Sequence, residues 1–173
     1  MNEFVNYNQR GVSLPRGCKD LIDALRQQHP HVAVERQMPA GNFGDLGQYM
    51  SRLLNSRATV RRVVISAVRA TIHLEFGPFV MGYRPAGLSA LVFVDETDPL
   101  QEPAVRAVFE EADIPLFNEF GSTGTAGPMW ALRYPLPNVA SDAQTLIEEL
   151  LCRGFGLTRH TPLWFGFDAL DAG

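Results

Sequence analysis

In the stretch "TIHLEF", His73 and Glu75 stand two residues apart on an alternating segment. Residues spaced by two share one face of a strand, so an imidazole and a carboxylate could meet there as an acid–base pair. A third reactive group is Cys18, which follows Gly17 where a helix is expected to start. A helix N-terminus stabilises a thiolate, which makes Cys18 the nucleophile candidate with a physical reason behind it. A pocket holding Cys18, His73 and Glu75 between a sheet and an N-terminal helix would mark a small-molecule-binding protein or an enzyme. The plainer reading puts His73 and Glu75 on a solvated strand face. It makes Cys18 a structural thiol, since no Asp or His close to it in sequence completes a triad.

Other constellations carry less chemistry. "GSTGTAG" spaces Gly121, Gly124 and Gly127 by three, but the following "PMWALRYPLP" alternates as a strand. A phosphate loop needs a helix there, so these glycines read as a turn between antiparallel strands. "DETDP" gathers Asp95, Glu96 and Asp98 without the oxygen spacing of an EF-hand, and reads as an acidic strand-to-helix turn. His29 and His31 bracket Pro30, with neither a cysteine partner nor an i, i+4 spacing. There is no G-x-S-x-G elbow. The reading is no metal, no cofactor and no catalytic residue set.

The elements that must position these groups fit a single domain of 173 residues, with 46% apolar and 20% charged side chains. A net charge of -4 leaves no electrostatic footprint for nucleic acid, and Arg57, Arg61, Arg62 and Arg69 read as a solvated face. Two distant cysteines, Cys18 and Cys152, read as free thiols. The opening "MNEFVNYNQRG" has no apolar core of a signal peptide, and apolar runs such as 90–94 are too short to cross a membrane. The expectation is a cytoplasmic protein.

Residues 1–44 are expected to form an N-terminal arm and a short helix, with "KDLIDALRQQ" as the helix and a loop over 37–44. Residues 45–173 then form one α+β domain. "DLGQYMSRLLNS" is helical, with Leu46, Tyr49, Met50, Leu53 and Leu54 on one face and Asp45 as its cap. Strands are expected in "VRATIHLEF", "LSALVFVD", "IPLFNEF" and "MWALRY"; "TVRRVVIS" also fits a helix through Val60, Val63, Val64 and Ala67, with its β-branched content favouring a strand, and "FVMGY" is a further strand candidate. A helix with Pro103 at its first position precedes "IPLFNEF" and "MWALRY". A Leu-rich helix follows, opened by a Ser141–Gln144 capping box and closed by Gly154. The fold expectation is an antiparallel sheet of about five strands packed against helices, in the order α-β-β-β-α-β-β-α with an extra N-terminal helix.

In this order of elements, and in "LRYPLPNVASDAQTLIEELL", residues 45–154 resemble the YbjN-like and type III secretion chaperone-like superfamily. The resemblance implies a small acidic α+β domain that forms a homodimer and works by binding a protein partner. It carries over no catalytic residue. The leading expectation is therefore a non-enzymatic binding module, chaperone-like or regulatory. The tail "TPLWFGFDALDAG" bears on this point, because Trp164, Phe165 and Phe167 must either fold back on the core or dock on another chain. The second expectation is the small-molecule pocket of Cys18, His73 and Glu75.

Overall fold

The computed structural model describes residues 33–122 and 129–170. Its alternating segments join in one seven-stranded antiparallel sheet. The strands are β1 (Ala33–Gly41), β2 (Val60–Ala67), β3 (Ala70–Gly77), β4 (Gly87–Asp95), β5 (Asn118–Ser122), β6 (Met129–Pro135) and β7 (Leu163–Leu170). Their spatial order is β1-β7-β2-β3-β4-β6-β5. The described residues also form three α-helices: α1 (Leu46–Asn55), α2 (Gln101–Glu111) and α3 (Ala140–Glu149), the last running on into a π turn over Leu150–Gly154.

The helices lie on one face of the sheet, and the register explains the core they enclose. Val63 and Ile65, Ile72 and Leu74, Ala90 and Val92, Trp130 and Leu132, and Phe165 and Phe167 come from five neighbouring strands and are all buried in one cluster. Tyr49 of α1 stacks on Phe165 with ring centroids 4.3 Å apart, and Phe109 of α2 stacks on Tyr134 at 3.7 Å. The apolar stripe expected on α1 is the stripe that is buried, with Leu46, Tyr49, Met50 and Leu53 all inside.

The fold class is the expected α+β one, and the order α1-β2-β3-β4-α2-β5-β6-α3 is as read from the sequence. Two strands were not foreseen. β1 lies at the end of the segment 1–44 and runs into its expected 37–44 loop, and pairs with β7 from Ala33↔Ala169 to Gly41↔Leu163. β7 is the aromatic tail, inserted between β1 and β2. "FVMGY" is not a strand but a turn closed by a single Val80↔Arg84 bridge, and "IPLFNEF" pairs from Asn118 onward. The expected helix within residues 1–32 lies outside the described residues, as do Cys18, Gly124 and Gly127.

End chemistry differs in detail from the sequence expectation. Asn42 and Asp45 form a reciprocal capping box around a short 3-10 turn over Phe43–Asp45, which leads into α1. Asp45 is spent on Asn42 and makes no side-chain cap bond to α1. α3 starts one residue before Ser141, so the Ser141–Gln144 box does not form, and Gln144 donates to Glu148 instead. Pro103 is the third residue of α2. The left-handed residue after α3 is Gly156, at φ 68°, rather than Gly154. Gly121 is small for a different reason: a Cβ there would overlap the Trp130 ring across the β5–β6 pair.

Candidate functional site: the buried polar face

The face of the sheet turned away from the helices carries Arg62, His73, Glu75 and Arg133. Cross-strand pairing sets Glu75 opposite Arg62 on β2 and Ser89 on β4. One row further, His73 stands beside Leu91, Leu91 beside Arg133 of β6, and Arg133 beside Asn118 of β5. Strict alternation thus brings six polar side chains from five strands to one side.

This face is not solvated, contrary to the expectation for His73 and Glu75. His73, Ser89 and Arg133 have no exposed surface, Glu75 retains 3%, and Arg62 and Asn118 retain 7%. Leu91, Phe93, Phe120 and Ala131 of the same face are buried as well. Of the arginines expected on a solvated face, Arg57 and Arg69 are exposed, but Arg61 and Arg62 are buried. Arg62 is in this cluster, while Arg61 is buried where α1 meets β2 and donates to the Leu53 carbonyl in the last turn of α1 and to the Ala58 carbonyl beyond it.

Part of the cover is the β3–β4 connection, residues 78–86, which crosses this face as a strap. Arg84 places Nη1 3.8 Å from Glu75 Oε2 and donates through Nε to the Pro78 carbonyl. Asn118 Nδ2 donates to the carbonyls of Gly82 and Tyr83 at 2.8 and 3.2 Å. The Arg133 guanidinium lies 4.6 Å from the centroid of the Tyr83 ring. Gly82 turns the strap with φ 69°, a conformation side chains rarely adopt. On its outer side the strap shows Phe79, 59% exposed, and Met81, 81% exposed.

Glu75 and Arg133 make the central ion pair, with Arg133 Nη1 donating to Glu75 Oε2 at 2.9 Å and to Ser89 Oγ at 3.3 Å. Burial alone would raise the Glu75 pKa, but Arg133, Arg62 and Arg84 outweigh it and hold the carboxyl down at about 2. Burial, reinforced by Arg62 and Arg133, pushes His73 down to about 3 despite the opposing pull of Glu75. His73 is therefore neutral at physiological pH, and its ring meets Phe93 edge-on at 4.9 Å.

The structure brings His73 and Glu75 onto one face, but not as an acid–base pair. Glu75 is engaged by Arg133 and Arg84, and neither His73 nitrogen has a hydrogen-bond partner among the described residues. The third proposed pocket residue, Cys18, lies outside the described residues. Of the tail residues proposed as a partner surface, Phe165 and Phe167 are core residues at 4% and 6% exposure, and Arg52 covers the Phe167 ring at 4.1 Å. Trp164 alone of the three is exposed, at 37%, because it points to the opposite face of β7. "DETDP" is turn chemistry: Asp95 accepts from Thr97 N–H and Oγ1, and Asp98 from the Leu100 amide. These carboxylates line an open hollow of about 670 Å³ with Glu102, Arg106 and Glu110. Among the described residues, no three His, Cys, Asp or Glu side chains are placed to hold a metal.

Sequence reasoning missed Arg133, Arg84 and Asn118. Arg133 was legible in principle, since Trp130, Leu132 and Tyr134 occupy one face of "MWALRY" and Arg133 must occupy the other. Arg84 sits in the turn "YRPAG", where no periodicity announces a buried side chain. No family model, curated protein or solved structure matches the chain in comparisons of sequence and structure.

Proposed function

We propose that this chain is a non-enzymatic protein-binding module, regulatory or chaperone-like, that recognises its partner through the apolar prominence of the 78–86 strap. The observation that carries this reading is the contrast between the strap's two sides. Its inner side is fixed by buried polar contacts to Glu75, Asn118 and Arg133, while its outer side exposes Phe79 and Met81. An exposed aromatic beside a methionine, held from beneath, is the usual make-up of an anchor in a protein interface. Phe117 meets Phe79 edge-on at 6.4 Å and extends the apolar surface toward β5. The order of elements from α1 to α3 supports the chaperone-like form of the reading, with a homodimer as the working unit.

The test uses the full chain and a Phe79→Ser/Met81→Ser variant, both checked for native circular dichroism and thermal midpoint. A partner captured by the wild type is identified, purified and mixed back with each protein. The expected result is a complex with the wild type and at least a tenfold weaker one with the variant. Equal affinity of the two proteins would remove the strap from the interface. Sedimentation velocity on the chain alone checks the homodimer, and a monomer at all concentrations rejects it.

A specific observation favours a second reading, a small-molecule-binding protein. His73 and Glu75 share their buried face with a guanidinium that is only half satisfied.

A further inference from the structure

Arg133 is held by Glu75, Ser89 and Tyr83. Its Nη1 is held by Glu75 and Ser89, and its plane lies against Tyr83. Its Nε and Nη2 are buried and have no hydrogen-bond partner among the described residues. Those two nitrogens form one edge of the planar guanidinium and present two parallel N–H donors, the fork that matches a carboxylate. The neighbouring residue across the β5–β6 pair is Asn118, whose Nδ2 is used by the strap while its Oδ1 is buried and unpartnered. A donor fork and an isolated acceptor therefore stand side by side.

The charges point the same way. Arg84 and Arg133 bring two positive charges to the single carboxylate of Glu75. Buried cations that lack a full set of acceptors are costly, and a guest anion offsets that cost. The geometry points to a carboxylate-binding site under the strap, with the Arg133 Nε–Nη2 edge gripping the carboxylate and Asn118 Oδ1 accepting from an adjacent hydroxyl or amine of the same molecule. This inference rests on the second reading and not on the apolar prominence, so the partner test and the test below can fail independently. Arg133 has no exposed surface, so the ligand enters when the strap lifts from Asn118 and closes again over it.

The test is the Nε–H resonance of Arg133 in the full-length wild-type chain, titrated with acetate and with lactate, with chloride at matched ionic strength as the control. The expected result is a saturable shift with both carboxylates, several-fold tighter for lactate because its hydroxyl meets Asn118, and none with chloride. Absence of a saturable shift with either acid, or an equal shift with chloride, overturns the site. Arg133→Lys keeps the charge and loses the fork, and should weaken acetate binding at least tenfold. Unchanged binding in a folded Arg133→Lys variant also overturns the site. If that variant does not fold, the wild-type titration decides alone. A short peptide with a free C-terminus and its amidated form separate the sources of the carboxylate. Binding of the free form alone assigns a chain end, binding of lactate but neither peptide assigns a free acid, and equal binding of both peptides refutes carboxylate recognition.

Discussion

The two faces of the sheet are buried to similar depth by opposite chemistry. On the helix face, Leu74 has no exposed surface and lies among apolar neighbours; on the other, Glu75 retains 3% and lies between arginines. They are consecutive residues of β3, sent to opposite sides by the pleat. The helix face gains from each apolar group removed from water, with little dependence on direction or pH. The strap face gains only where every donor meets an acceptor, and its contribution depends on protonation and on partners being present. The lesson is that burial alone does not tell stabilising surface from a site: what distinguishes them is how completely the buried groups are satisfied.

The comparison is broken most sharply at Glu75. Glu75→Gln leaves Arg133 and Arg84 buried without their shared carboxylate, and should cost about 3–5 kcal/mol in urea unfolding at neutral pH. Replacing the pair together, Glu75→Leu with Arg133→Met, should recover part of that loss, because Arg133 then needs no partner while Arg84 stays buried without its carboxylate. A double variant as unstable as the single one would mean that packing, rather than charge, holds this face. Leu74→Ala, the neighbour on the helix face, should cost about 2–5 kcal/mol, by the same amount at pH 7 and pH 5. A pH-dependent loss there would show that the two faces are not energetically separate.

The next effect appears in acid. His73 titrates near 6.5 when unfolded and about 3 when folded, so between those values the unfolded chain binds the extra proton. Stability from this group is full above pH 6.5 and falls as pH drops toward 3. Arg62 on β2, Glu75 on β3 and Arg133 on β6 are the charged groups that act on it. Glu75 adds its own loss below its unfolded value of 4.5, toward about 2. His73→Phe removes the first component and leaves the second. Its stability should match or exceed wild type at pH 7 and exceed it by a few kcal/mol, roughly 1.4 per unit of pKa difference, near pH 4. Parallel stability–pH curves for the two proteins would place the ring in contact with water.

The helix face was readable from the sequence and the strap face was not. The stripe of α1 and the alternation of "TIHLEF" and "MWALRY" are periodic signals, and they placed the core correctly. The same alternation put His73, Glu75 and Arg133 together on the other side, but local pattern reports which residues share a face, not whether that face is covered. Charged side chains there were read as wet because burial of charge is rare. What buries them includes a strap with no period of its own, anchored by Asn118 across a separation of more than thirty residues. β7 was missed for a related reason. Leu163, Phe165 and Phe167 do alternate, but Trp164 stands among them on the other side and makes the tail look uniformly apolar. β1 has no aromatic residue and no strong alternation in "AVERQMPAG", and pairs along β7 with a register shift between Gln37 and Gly41.

The smallest effect on stability comes from the outside of the strap and bears most directly on function. Met81 is 81% exposed, so Met81→Ser removes almost no buried surface and should change the unfolding free energy by no more than about 0.5 kcal/mol. Asn118→Ala acts on the inside of the same strap. It deletes the donor to the Gly82 and Tyr83 carbonyls and should speed amide exchange at Tyr83 and Arg84, while exchange at Ile72 and Leu74 in β3 stays as it was. If the two sides act as one device, both variants weaken the reconstituted partner complex, Met81→Ser by removing the contact and Asn118→Ala by loosening its support. A partner that tolerates Asn118→Ala but not Met81→Ser would bind the apolar side chains wherever the strap carries them. The buried charge would then serve the carboxylate site beneath rather than the surface above.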